Sequence, residues 1–320
     1  MLANFLFSLN VSLPIFILLL LGVFLRKKNI LNDNFIACAN TLIFNVCLPA
    51  KLFSDTMNTD FTQAIDWRFF LLLIGGTMVF YVLFWIIGAV TLKEPAKVGA
   101  FVHGTIRGNF VYIGYPLIQN ILGLSALPAE GMLASAFILP LYNVLAVVVL
   151  TVTNNPGKKI DFGKILLSII KNPMILGILA GLPFSFIRVK TGFEFPFAIT
   201  KSLGYLGNLV TPLALIVIGA STRFTAIRKS IKPIGMSCFF RLVLQPLIII
   251  PLAVAMGLGP VPIVVLFVVY AVPAAANVYI VTQKMGGDAD LAAGIVIGTV
   301  VASMFTMTLG IFLLKTLAII

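Results

Sequence analysis

Polar residues are sparse along this chain, and they cluster so that the remainder falls into long apolar runs. Ala3–Leu25, Phe69–Leu92, Gly131–Gly157, Ser202–Thr222 and Leu291–Leu314 carry no charge, and each has about the length that crosses a bilayer as a helix. Leu242–Gln283 is roughly twice as long and holds GLGPVP near its middle. It reads as two spans joined by a tight turn at Gly257–Pro262. Asn34–Phe53, Val98–Gly123 and Ile165–Ile187 complete the set, each interrupted by polar residues, Pro or Gly. The pattern predicts an all-α chain of ten spans. The first is too long for a removable leader and lacks a basic start and small-residue cleavage site.

Composition agrees. At 60% hydrophobic and 10% charged residues, the chain is far from the quarter charged that soluble domains carry, so its solvent must be lipid. The net charge of +12 would suggest nucleic acid in a soluble protein. Here the basic residues sit between apolar runs, where they hold topology against the cytoplasmic leaflet, and no nucleic-acid role follows. Loops numbered by the span they follow divide by charge. Odd loops carry Arg26, Lys27, Lys28, Lys93, Lys97, Lys158, Lys159, Lys164, Arg223, Arg228, Lys229, Lys232 and Lys284. Even loops carry Asp55, Asp60, Asp66, Glu130 and Glu194, with Arg188 and Lys190 as the contrary patch. This predicts a multi-pass protein of the cytoplasmic membrane with both termini outside. Cys38, Cys47 and Cys238 have neither disulfide nor metal-ligand spacing and read as packing residues. No cofactor or metal is expected.

Two halves recur. Pro14 pairs with Pro173 at 159 residues, Pro49 with Pro212 at 163, Pro116 with Pro273 at 157, and Gly131 with Gly294 at 163. Asn45 and Pro49 repeat as Asn208 and Pro212, the same N-x-x-x-P. Five spans per half is odd, so residues 1–157 and 158–320 must insert in opposite senses, the inverted repeat of secondary transporters. Proline in a helix removes a donor and clashes with the preceding turn. In lipid such a break is tolerated only against protein or a watery cavity. Span 4 holds Gly108, Asn109, Gly114 and Pro116, and span 9 holds Pro273 and Asn277. Both spans are fourth in their half. Their breaks are expected to meet near mid-membrane, aiming helix N-termini into a common cavity.

Those residues match a family. GNFVYIGYP, LIFNVCLPAKLF and PAAANVYIVTQKMGGDADLAAGIVIGTVVAS resemble the auxin efflux carrier family, in its short bacterial members, over essentially the whole chain. The resemblance implies crossed, broken helices 4 and 9 in a fold like those of bile-acid symporters and sodium/proton antiporters. It puts Asn109 at a substrate-facing position and Pro116 and Pro273 at the crossover, and makes a homodimer plausible. The long central cytoplasmic loop of the plant carriers is missing. Bacterial relatives are associated with malate, malonate and similar carboxylates.

The polar inventory of the spans points the same way. No Asp or Glu lies at the centre of a clear span, whereas ion-driven carriers commonly use carboxylates. Donors are present: Asn40, Asn45, Asn109, Tyr112, Asn143, Asn208, Thr211, Gln245 and Asn277, with the cations Lys51 and Arg241 as charge partners. Donors, cations and helix N-termini favour an anion, although Asn40 and Asn143 read equally as interhelical glue. Arg241, placed at the start of span 8, reads first as snorkelling to the headgroups and second as a carboxylate partner. His103 reads as structural, Asp288 and Asp290 as the start of helix 10. One histidine excludes HExxH chemistry and leaves a serine protease without its partner motif. The expectation is a carrier for a small organic anion in contact with membrane lipid, coupled to protons or sodium, or a passive facilitator.

Overall fold

The computed structural model describes residues 2–58, 66–154, 163, 167, 170–221 and 230–320. Asp60, Lys158, Lys159, Lys164, Arg223, Arg228 and Lys229, on which the expected orientation partly rests, lie outside them, as does the start of the span at Ile165–Ile187. Twelve helices are described: α1 (Leu2–Lys27), α2 (Asp33–Asn58), α3 (Trp67–Leu92), α4 (Pro95–Ile106), α5 (Phe110–Leu122), α6 (Ala129–Asn154), α7 (Pro173–Thr191), α8 (Phe197–Ser221), α9 (Ile231–Ala255), α10 (Pro260–Ala271), α11 (Asn277–Lys284) and α12 (Ala289–Thr316). Among the described residues the nearest thing to a sheet is one antiparallel backbone bridge, Gly108 to Ala274.

Seven of these helices, α2, α3, α6, α7, α8, α9 and α12, are long and apolar enough to cross a membrane. α1 makes an eighth if its two arms are one span; they meet at 41°, beside Pro14. α5 and α10 are apolar but short, and each belongs to a helix that is interrupted. Among the described residues four helix starts are capped by side chains, Asp288 among them as the sequence leads one to expect. Asn32, Asp66, Asn172 and Asp288 each accept a hydrogen bond from an N–H of the turn that follows. Asp288 and Asp290 therefore do begin α12.

Four helices pack through backbone contact. α1 lies on α8, and α7 lies on α2. A Cβ at Gly22 would overlap the carbonyl of Ile216, one at Gly219 the carbonyl of Leu19, and one at Gly181 would stand 2.9 Å from the carbonyl of Phe53. Glycine permits that approach, which is how helices associate when lipid offers no hydrophobic drive. The broken helices pack chiefly with α3, α6, α9 and α12, and α5 also meets α1 and α8.

Among the described residues four π-turns interrupt the long elements, at Ile43–Cys47, Leu71–Gly75, Phe110–Gly114 and Phe240–Leu244. Three of them end two residues before a proline: Pro49, Pro116 and Pro246. The π-turn shifts the hydrogen-bond register ahead of a residue that cannot donate. Helix α5 consequently runs on through Pro116, and its interruption lies earlier, at Arg107–Asn109. Two boundaries also move. α2 extends to Asn58, so Asp55 is a buried helical residue rather than a loop acid. α9 begins at Ile231, so Arg241 sits mid-helix rather than at a helix start.

Candidate binding site at the meeting of two interrupted helices

Each interruption has its own cause. α10 stops at Ala271 because Val272 precedes Pro273 and is held extended (φ −66°, ψ 147°), as a pre-proline residue prefers. α4 stops where Arg107 turns extended (φ −79°, ψ 96°). The next residue, Gly108, has no room for a Cβ, which would overlap the Arg241 guanidinium. The two extended segments then pair. Asn109 N–H donates to Pro273 O at 2.8 Å and Ala275 N–H to Arg107 O at 3.0 Å. Ala274 N–H donates to Thr299 Oγ1 at 3.0 Å. Backbone that a helix would have satisfied is satisfied across the junction, as burial requires.

On one side of this pairing the carbonyl ends of α4 and α10 converge on Arg241, which is 0% exposed. Its Nε donates to Val272 O (2.8 Å), one terminal nitrogen to Ile106 O (2.8 Å) and Gln245 Oε1 (3.3 Å), and the other to Val269 O (2.6 Å). Gln245 donates to Thr105 O at 3.2 Å. Arg241 is thus a shared C-cap for two helices, meeting both unpaired carbonyls and negative dipole ends. It neither snorkels nor offers a donor to an anion. The sequence reading failed because it placed the arginine in the first turns of its helix.

The other side is less saturated. Arg107 is half-buried and donates to Asn143 Oδ1 at 2.7 Å. Asn109 is buried, 5% exposed, and its Nδ2 has no hydrogen-bond partner. His103, one turn before Arg107 on α4, is buried with Nδ1 3.2 Å from Thr282 Oγ1 of α11, and its Nε2 has no partner. A void of about 10 Å³ is lined by His103, Arg107, Tyr81 and Tyr142. Arg107 was absent from the inventory drawn from sequence, although its place directly before Gly108-Asn109 in an interrupted span is a readable signal.

The remaining expected site residues scatter in accessibility. Tyr112 is half-buried in the π-turn Phe110–Gly114; Asn277 is exposed at the first residue of α11. Asn45 is exposed in the π-turn of α2, and on α8 Asn208 is exposed and Thr211 half-buried. α8 packs against both π-turns, so the elements bearing Asn45, Tyr112, Asn208 and Thr211 are neighbours, while α11, which bears Asn277, packs on α4 and α12. Gly114 holds α5 close to α10, since its Cβ would be 3.0 Å from Val268. Lys51 is not a free cation: its Nζ lies 3.2 Å from Asp55, with both side chains nearly buried. A larger cavity of about 330 Å³ lies elsewhere, at the ends of α2, α7 and α8, bounded by Phe184, Arg188, Glu194 and Phe195. There Arg188 donates to Asn58 O, the last carbonyl of α2, which gives the contrary basic patch a local use.

The sequence profile of a family described as "Membrane transport protein" matches residues 7–311. A protein of Rhizobium meliloti (strain 1021) named "Putative malonate transporter" is 25% identical over 312 residues, covering 95% of both chains. An uncharacterized transporter of Methanocaldococcus jannaschii is 27% identical over 250 residues, 74% of this chain and 76% of its own. Another, from Methanothermobacter thermautotrophicus, is 20% identical over 311 residues, 95% and 98% of the two chains.

Proposed function

Because the chain belongs to the auxin efflux carrier family of membrane transport proteins, we propose that it is a secondary carrier for a small carboxylate, working by alternating access across the cytoplasmic membrane. The observation that carries this reading is the junction. Two interrupted helices meet there, and beside them lie a guanidinium with one side-chain partner and a buried amide donor with none. Such donors recognise an anion's oxygens through charge-assisted hydrogen bonds, and buried polar groups left unpaired are costly unless a ligand completes them.

An inverted repeat of residues 1–157 and 158–320 is the architecture that accounts for the packing. Adding 159 to Gly22 gives Gly181, and adding 163 to Phe53 gives Ile216. These are the offsets of the paired prolines. Gly22 against Ile216 and Gly181 against Phe53 are then one contact seen twice. Counting α4/α5 and α10/α11 as one span each, with α1, brings the total to ten. The junction pairs Gly108 with Ala274, so Pro273 corresponds to Arg107 rather than to Pro116. In this reading α1, α2, α7 and α8 form the part against which the junction-bearing helices move, and Asn45, Tyr112, Asn208, Thr211 and Asn277 line the path between them. Both termini face outside.

The test is a thermal-shift screen of mono- and dicarboxylates in detergent, since a ligand raises apparent stability by mass action, followed by uptake into proteoliposomes. A carboxylate that both stabilises the protein and is accumulated is the expected result. Stabilisation by organic cations but by no carboxylate would overturn the reading.

A further inference from the structure

The junction-bearing helices contain a second chemistry besides anion recognition. His103 lies in the last turn of α4, four residues before its C-cap Arg107, and is hydrogen-bonded to Thr282 of α11, so it joins the two interrupted helices directly. It is the chain's single histidine, the side chain whose ordinary proton affinity lies nearest neutral pH. One of its ring nitrogens is buried with no partner. The groups facing it are identifiable. Arg107 stands on its own helix, Tyr81 comes from α3 and Tyr142 from α6, all around the same void. α11 presents Thr282, α12 presents Ile295 against Gly104, and from α9 Arg241 reaches the carbonyl of Ile106. The acidic side chain buried in a described helix, Asp55, is 3.2 Å from Lys51 on α2, in the other group of helices.

We propose that His103 is the carrier's proton site, and that a proton on His103 and a carboxylate on Arg107 bind together. Two cations one turn apart repel in a low-dielectric interior. An anion laid against Arg107 removes that repulsion, and the imidazole lone pair can then take up a proton released by the buffer acid of the medium to give imidazolium. Binding is reciprocal by linkage: the proton strengthens the anion's hold as much as the anion strengthens the proton's. The two move as a unit, one proton per carboxylate bound at Arg107. The inference rests on the reading of the junction as a carboxylate site.

Calorimetry on the intact detergent-solubilised protein tests it, with malonate and a panel of other carboxylates as probes. Titrations run in two buffers of different ionisation enthalpy count the protons taken up on binding. The range runs from neutral to mildly alkaline pH, where the probes stay fully ionised. The parent should take up close to one proton per carboxylate in the window above proton release from the free protein and below proton release from the complex. Within that window its affinity should fall about tenfold per pH unit. His103→Gln, which keeps an amide for Thr282, should still bind but take up no proton and show a flat pH profile. A merely structural histidine would leave the slope intact. Zero proton uptake by the parent, or unchanged uptake by His103→Gln, overturns the proton site while leaving the carboxylate site standing. Absence of binding by every carboxylate overturns both. Should His103→Gln not fold, the proton count of the parent decides alone.

Discussion

Two arginines lie beside the junction, and they do opposite work. Arg241 is wholly enclosed, and its donors go to three main-chain carbonyls and one amide oxygen. Arg107 is half-buried and has the Asn143 amide as its side-chain partner. The difference follows from where each side chain lies. Arg241 sits among the carbonyl ends of α4 and α10, whose acceptors take three of its hydrogen bonds. Arg107, the C-cap of α4, turns instead to α6, where Asn143 accepts from it, and lines the void beside His103. A buried cation is commonly read as a sign of function in a membrane. Here the more deeply buried one is structural, and the partly open one is the better candidate for chemistry.

The largest effect that would break this contrast is on folding. Arg241→Met leaves the carbonyls of Ile106, Val269 and Val272 without this donor. Each such loss costs about 1–3 kcal/mol, so the variant is expected to lose several kcal/mol of a total stability of only about 5–15 kcal/mol. Gly108→Ala should act similarly by driving a methyl into the guanidinium. Yield of monodisperse protein and thermal melting in detergent check both. An Arg241→Met protein that melts like the parent would show that the arginine is not the cap described.

Next comes binding. Arg107→Gln keeps a donor for Asn143 but removes the charge. Losing a charge-assisted hydrogen bond costs about 1.5–3 kcal/mol, or roughly 10- to 150-fold in affinity. Carboxylate affinity should fall by that order while the empty protein melts within a degree or two of the parent. If Arg107→Gln binds carboxylates normally, the open side of the junction is not the site.

How much of this was legible beforehand depends on the kind of signal. Long uncharged runs, the turn at Gly257–Pro262 and the Asp288 cap are local, and they were readable. The interruption at Pro273 could be anticipated because proline is a strong local breaker. Pro116 misled, since a π-turn can absorb a proline with no break at all, and nothing in composition distinguishes the two outcomes. Arg241 misled for a different reason. Its helix begins eleven residues earlier than the uncharged run, so a residue assigned to the interface lay at depth. Lys51 and Asp55 were read as a free cation and a loop acid, although their spacing of four is itself an ion-pair signal on a helix. Arg107 shares its interrupted span with Asn109 and Tyr112, and a charge at a break reads more readily as the edge of a span than as part of a site.

Asn109 gives a smaller, sharper contrast within the open side. Its unpartnered Nδ2 can donate to a carboxylate beside the start of α5. Asn109→Ala should weaken carboxylate binding about tenfold, at the low end of the range for such bonds. Asn109→Asp should be worse, because it sets a negative charge against a negative substrate. Isothermal titration at pH 7 distinguishes them. An Asn109→Asp protein that binds as well as the parent would mean that the anion sits elsewhere.

The smallest expected effect tests whether the saturated side is as insulated as its hydrogen bonds suggest. Gln245 accepts from Arg241 at 3.3 Å and donates to Thr105 O at 3.2 Å; both are long for such bonds. Gln245→Met nearly preserves volume and leaves Arg241 its three carbonyl acceptors. The loss should be about 1 kcal/mol, read as a shift of a few degrees or less in melting temperature. Carboxylate affinity should not move, because nothing on the carbonyl side reaches the anion in this arrangement. A tenfold fall in affinity with little change in melting would reverse the assignment. It would mean that the carbonyl side transmits to the site, and that Arg241 sets the position of Arg107 across the paired segments rather than merely closing two helix ends.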